Sequence, residues 1–294
     1  MPRILLPEGP VNYGDTGGGG PVVLFVHGLL SDGSFWDGVV ERLAPDARCL
    51  TPDLPMGSHR EPMHEAADLS PRGIARLVDA FLAALELRDV VVVGCDSGGA
   101  VVQLLVTEHP DRIGRLVLTP CDAFENFFPP MFRPYQWLAH VPALLTAVLQ
   151  PMRLRALRPL PMAYGRIAKH GVAHATTDRW LAPVLSQKAI RRDVAKFLRG
   201  VDPRDTLAAA ELLRGFDKPA LLLWPREERT FPFAHAERLA ALLPDARLVE
   251  IPDAWAFIAL DQPAATADAL AAFLAQTAQT PTGSADAGMA PAGR

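Results

Sequence analysis

The sequence predicts a parallel β-sheet wrapped by helices and interrupted once by an all-helical insertion. Three observations point to it. The first half alternates short apolar runs with stretches of helical spacing. From about Cys121 the character changes, with prolines punctuating short helical stretches and no strand-like run. At residues 220–224 the alternation resumes. The chain is therefore read as a core at 1–120 and 216–276, a helical cap at 121–215 and a disordered tail at 277–294, where Pro, Thr, Gly, Ser and Ala leave no apolar face to bury.

The elements follow in order. Residues 22–26, Val-Val-Leu-Phe-Val, are an unbroken apolar run, the mark of a strand buried on both faces. Phe35, Trp36, Val39, Val40 and Leu43 recur at helical spacing over 34–43, and Cys49-Leu50-Thr51 is the next strand. Ser70 and Pro71 start a helix, with a hydroxyl to cap the first turn and a proline where no N–H is needed. Its apolar stripe runs through Ile74, Leu77, Val78, Phe81, Leu82 and Leu85. A valine run at 90–93 is another buried strand. A glycine-rich turn leads from it into a helix bearing Val101, Val102, Leu104 and Leu105, and Leu116-Val117-Leu118 is the strand after that. Beyond the insertion come a strand at 220–224, a helix at 234–243, a strand at 247–251 and a last helix at 264–274.

Composition narrows the function classes. The 294 residues carry a net charge of −4 and are 49% hydrophobic, so neither a nucleic-acid nor a membrane partner is expected. No apolar run approaches the roughly 18–20 residues that span a bilayer. The first seven residues are too short an apolar stretch and too soon broken, by Pro7 and Glu8, for a secretory signal to be expected. Cys49, Cys95 and Cys121 cannot all pair and lack C-x-x-C spacing, so they read as reduced, buried apolar residues of a cytoplasmic protein. No cluster of His, Cys or acid has metal-ligand spacing, and neither a metal nor a cofactor is expected. Between residues 130 and 215, 11 Arg and 3 Lys stand against 5 Asp or Glu. Such a bias is ordinarily a solvated helical surface; the sharper expectation is a basic face turned toward an anionic or polar substrate.

The chemistry concentrates at Gly94-Cys95-Asp96-Ser97-Gly98-Gly99-Ala100, at the end of the valine strand. Three glycines keep side chains out of a sharp strand-to-helix turn, which lifts one side chain above the sheet edge and aims nearby backbone N–H groups at it. The lifted residue is Asp96, a carboxylate where such turns normally present a serine. The plainer reading makes Asp96 the N-cap of the following helix.

Four landmarks in order, Val26-His27-Gly28, Asp53-Leu54-Pro55, the turn at Asp96 and Trp224-Pro225-Arg226-Glu227-Glu228, resemble the α/β-hydrolase superfamily from about Tyr13 to Leu274. An Asp at the elbow resembles its branch of haloalkane and fluoroacetate dehalogenases and epoxide hydrolases. The resemblance implies that Asp96 attacks an electrophilic carbon to form an ester, which a histidine-activated water then hydrolyses. It assigns the oxyanion hole to the N–H groups of Leu29 and Ser97, and the histidine-orienting acid to Glu228, whose alternative is a surface loop residue. His27 is expected to be structural, near the site.

The departures matter as much. The superfamily histidine belongs in a pattern kept here at Ile251, Pro252 and Pro263, but its position is Ala256, and no histidine follows His235. An ester on Asp96 then lacks its base, help worth roughly 10²–10⁴-fold. His59 or His64, in the loop after the Asp53 strand, could substitute. Asp96 could instead act as a general acid/base with its pKa raised by burial. The Trp and Asn halide donors of dehalogenases are Ser97 and Leu29 here. Tyr135 and Tyr164 are the cap tyrosines available to protonate an opening ring, Asp122 and Glu125 stand where some dehalogenases place an alternative acid, and Phe127, Phe128, Trp137, Trp180 and Trp255 are candidate pocket walls or plain core. The expectation is a cofactor-independent hydrolase of a small, largely apolar organic molecule. The alternatives are a lyase, isomerase or cyclase using Asp96 as acid/base, and a catalytically silent ligand-binding protein.

Overall fold

The computed structural model describes residues 1–277. It opens with a hairpin, β1 (Arg3–Leu6) and β2 (Gly9–Asp15), which the sequence reading did not foresee. Then follow β3 (Val22–Val26), α1 (Asp37–Leu43), β4 (Arg48–Pro52), α2 (Pro71–Ala84), β5 (Val90–Asp96), α3 (Ser97–Glu108) and β6 (Ile113–Cys121). The helices α4 (Arg133–Leu138), α5 (Pro142–Leu149), α6 (His174–Ser186), α7 (Lys188–Gly200) and α8 (Pro203–Leu213) come next. The chain then returns through β7 (Ala220–Trp224), α9 (Phe233–Leu242), β8 (Ala246–Glu250), α10 (Ile258–Asp261) and α11 (Pro263–Thr277). Thr277, placed by the sequence reading in a disordered tail, ends α11; the rest of that tail lies outside the described residues.

The strands form one eight-stranded sheet in the order β1-β2-β4-β3-β5-β6-β7-β8. Only β1 and β2 run antiparallel to their neighbours; the rest is parallel, with helices on its faces. The fold class is the one predicted. Val91, Val92 and Val93 of β5 and Leu116, Val117 and Leu118 of β6 are fully buried at the sheet centre, each side chain contributing about 1.5–3 kcal/mol by leaving water. The cap of α2 is also as read, with Ser70 Oγ accepting from Gly73 N at 3.1 Å and Pro71 opening the helix.

Two features of this layout position the site. The β5–β6 register shifts between Gly94 and Asp96, so β5 delivers Asp96 opposite Cys121 at the C-terminal edge of the sheet. The helical stretch between β6 and β7 divides in its packing. Helix α7 packs on α4, α5 and α6, whereas α8 lies against α3 and α9 beside the sheet. Among the described residues no helix is long and apolar enough to cross a membrane. The three cysteines are buried and free.

Candidate active site

The turn at Asp96 is tight because glycines permit it. Asp96 sits at φ 54° and ψ −134°, a conformation strained for any residue with a Cβ. A methyl on Gly98 would lie 2.3 Å from the His27 carbonyl oxygen, and one on Gly99 would lie 2.2 Å from Cys121 Cβ. A Cβ on Gly28 would meet Asp96 Cβ at 2.5 Å, so Gly28 lets the Val26-His27-Gly28 turn close onto the carboxylate.

That closure brings Leu29 and Ser97 to one oxygen. Asp96 Oδ1 accepts from Ser97 N at 2.6 Å, from Ser97 Oγ at 3.0 Å and from Leu29 N at 3.4 Å. Asp96 is thus also bonded to the first N–H of α3, as the plainer reading required, but the same geometry leaves Oδ2 with no hydrogen-bond partner among the described residues. Burial raises the Asp96 pKa, while the bonds from Ser97 and Leu29 pull it back.

Among the described residues, Asp96 and Asp122 are the only acidic or basic side chains lining a cavity beneath the helical segment. Its other walls are aliphatic and aromatic, among them Phe128, Phe132, Leu145, Leu149, Ile167 and Phe231. About 70 Å³ is open to the centre of a water-sized sphere. One water needs about 10–15 Å³ by that measure, so the space suits a molecule of few non-hydrogen atoms. Of the five aromatics weighed as walls, only Phe128 lines the cavity. Phe127 and Trp180 are core, Trp137 is exposed, and Trp255 lies under the Arg229 guanidinium. Among the described residues no Arg or Lys lines it, so the basic residues of the insertion do not form the substrate-facing surface that was the sharper expectation. Arg179 pairs with Asp32, Arg155 and Arg158 with Asp178, and Lys169 with Glu227 and Asp253.

Asp122 follows directly from β6 and has no exposure at all. Its backbone is pinned, with its N–H donating to the Asp96 carbonyl at 3.3 Å and its own carbonyl accepting from Gln103 Nε2 at 2.8 Å. Both carboxyl oxygens lack a hydrogen-bond partner. Burial, and then the Asp96 charge, push Asp122 well above the ordinary carboxylate range, against a smaller pull from the nearby Ser97 hydroxyl, whose proton goes to Asp96 Oδ1 and not to Asp122. Of the two, Asp122 is pushed further toward its protonated form, because Asp96 accepts hydrogen bonds from Ser97 and Leu29.

Glu228 has a carboxyl in two states of satisfaction. Oε1 accepts from Thr230 N at 2.5 Å and Phe231 N at 2.9 Å, while Oε2 is buried without a partner. Burial pushes its pKa up to about 7. Ala256 is fully buried, and its carbonyl lies 3.6 Å from Cys95 Sγ beside Asp96. Glu228 therefore presents an acid with no imidazole to orient.

No histidine replaces the missing one. His27 is a clamp: Nδ1 donates to Gly28 O at 2.8 Å, and Nε2 accepts from Leu54 N at 2.9 Å. Burial pulls its pKa down to about 4, so it is neutral. His59 does not reach the cavity. Its Nε2 meets Asp193 Oδ2 at 3.2 Å and its Nδ1 accepts from Gly57 N at 3.4 Å, which occupies both ring nitrogens. His64 is exposed and bound to Pro7 O. The tyrosines do line the cavity, but with committed hydroxyls: Tyr135 donates to Met162 O at 2.9 Å and Tyr164 to Leu30 O at 2.7 Å. Glu125 points outward to Arg238.

A family model described as alpha/beta hydrolase fold matches residues 21–263. The chain belongs to that family. Among relatives of this alpha/beta hydrolase, a haloalkane dehalogenase of Mesorhizobium japonicum is 33% identical over 132 residues, 42% of this chain and 41% of that protein. Haloalkane dehalogenase 2 of Mycobacterium tuberculosis is 28% identical over 270 residues, 87% of this chain and 88% of that one. The crystal structure of haloalkane dehalogenase DbeA from Bradyrhizobium elkani superposes with a TM-score of 0.77 at 19% identity, covering 94% of this chain and 97% of that one.

Proposed function

We propose that this alpha/beta hydrolase attacks an electrophilic carbon of a small, largely apolar organic molecule with Asp96 Oδ2, forming an ester that water then cleaves. The observation that carries the reading is the division of labour at Asp96. Leu29 N and Ser97 N hold Oδ1 in an oxyanion hole, leaving Oδ2 as the free nucleophilic oxygen beside an apolar cavity. The relatives named haloalkane dehalogenase support attack at an alkyl carbon, and with Ala256 in place of the base, ester cleavage needs another group to activate water. The direct test is incubation with small alkyl halides and epoxides followed by intact-mass and peptide mapping. An adduct mapping to Asp96 and lost in Asp96→Asn supports the reading; full turnover by Asp96→Asn sinks it.

A second reading has its own observation. The pairing of a hydrogen-bonded Asp96 with an Asp122 pushed further toward its protonated form suits general acid/base chemistry without a covalent stage, as in a lyase or isomerase. Product carrying no solvent oxygen, formed without any adduct, would favour it.

A further inference from the structure

We infer that Asp122 supplies both the proton and, one step later, the water-activating base for the reaction on Asp96, the work a histidine at position 256 would otherwise share. The inference rests on the reading of Asp96 as nucleophile and goes beyond it by naming what completes the reaction.

The geometry leaves Asp122 as the one group available. Polar side chains lining the cavity are Asp96, Asp122, Tyr135 and Tyr164. Both tyrosine hydroxyls are spent on backbone carbonyls, and Asp96 is the attacking group. Glu228 does not line the cavity, and His59 is held by Asp193 and Gly57. Asp122 has a backbone fixed at both its N–H and its carbonyl, with two carboxyl oxygens closed to solvent and without a hydrogen-bond partner among the described residues. A fully buried carboxyl without a partner costs free energy, and a substrate atom that takes its proton relieves that cost.

The steps balance. Asp96 Oδ2 attacks a carbon of a strained cyclic ether, the carbon–oxygen ring bond breaks, and the Asp122 proton moves to the departing oxygen. This leaves a hydroxyalkyl ester on Asp96 and an ionised Asp122. Water then attacks Asp96 Cγ and passes one proton to Asp122, while Leu29 N and Ser97 N hold the negative Oδ1. Collapse expels the diol oxygen, which takes the second water proton, and both aspartates return to their starting states. One residue acting first as acid and then as base is established chemistry for carboxyl pairs. The leaving atom is accordingly an oxygen that needs a proton. A halide would find no indole, amide or guanidinium N–H among the cavity-lining side chains.

The test compares propylene oxide with 1-bromo-2-propanol, which give the same hydroxypropyl ester on Asp96 although only the epoxide needs a proton to leave. Adduct formation and loss are followed by intact mass in wild type, Asp122→Asn and Asp96→Asn, with thermal melts to verify folding. Asp122→Asn is expected to lower the ratio of epoxide to bromide alkylation by roughly 10²–10⁴-fold and to hold the ester far longer than wild type. Wild type in ¹⁸O-water should carry one solvent oxygen in Asp96 after a single turnover. If Asp122→Asn opens the epoxide and clears its ester at wild-type rates, the inference about Asp122 falls and the Asp96 nucleophile stands. If no protein forms an adduct with either reagent, the Asp96 reading itself falls. Should Asp122→Asn fail to fold, the wild-type pH profile decides. The groups facing Asp122 are Asp96 and Ser97 from the turn and the Cys95 and Cys121 thiols. Epoxide alkylation alone should decline at alkaline pH as Asp122 ionises; parallel profiles for the two reagents overturn the inference.

Discussion

The side chain of Glu228 has one oxygen held by two backbone N–H groups and one buried with nothing to bind. Its folded pKa of about 7, above the ordinary 4.5, means that folding holds a proton that the unfolded chain releases. Below pH 4.5 both states are protonated and nothing is lost; stability then falls as pH rises from about 4.5 to 7. Glu228→Gln keeps the acceptor for Thr230 N and Phe231 N and removes the ionisation. Urea titrations should find the variant more stable than wild type at pH 8, by about 2–3 kcal/mol, and near equal at pH 4. A larger gain at pH 4 than at pH 8 would contradict the burial of that oxygen. Position 256 gives the complementary experiment. Ala256→His sets an imidazole near an acid already in place, at an overpacking cost of about 1–3 kcal/mol. In an Asp122→Asn background ester cleavage on Asp96 should quicken by roughly 10²–10⁴-fold in single-turnover mass measurements, and adding Glu228→Gln should reverse part of the gain.

At the scale of elements, His27 stitches the turn after β3 to the loop after β4 through Gly28 O and Leu54 N. It is neutral when folded, with a pKa near 4, whereas the unfolded chain protonates near 6.5. Its contribution is complete above about pH 6.5 and is lost as pH falls toward 4, by about 3 kcal/mol in all. His27→Ala should therefore be less stable than wild type at pH 8, with a shallower loss on acidification, read by denaturant titration between pH 4 and 8. The elements that carry long apolar runs or a capped helical stripe, β3, β5, β7 and α2, were legible because burial on both faces or a 3.6 period leaves few alternatives. The β1–β2 hairpin was not. Its seven-residue strand mixes Pro10, Asn12 and Gly14 with the three buried residues Gly9, Val11 and Tyr13, and only its alternation hinted at a half-covered edge. Of the site, the turn, Asp96, Leu29 and Ser97 could be read from spacing, since glycines and backbone N–H groups fix that geometry locally. The cavity walls could not. Phe132 and Phe231 reach it through the packing of separate elements, and His59 is turned away by Asp193, whose link to it spans 134 positions in the chain.

At the scale of the whole molecule, the helical insertion is basic and the cavity beneath it is not. The surplus of Arg and Lys between residues 130 and 215 is spent on bonds such as Arg179 to buried Asp32 and Lys196 to the carbonyls of Glu65 and Ala67, ties that hold α6 and α7 to the loops above the sheet. Asp261 adds another tie, its carboxylate accepting from Lys169 N, His170 N and Trp255 N and so joining the loop around Ala256 to the insertion. What remains inside is apolar wall and two acids. That asymmetry sorts departing molecules by sign. An anion released beside Asp96 is repelled outward, a neutral alcohol drifts off at its own pace, and an ammonium group is drawn back to the carboxylate. Butylammonium should accordingly slow Asp96 alkylation at millimolar concentrations where butyrate does nothing, and equal inhibition by both would mean that the interior is not the acid-walled vestibule described.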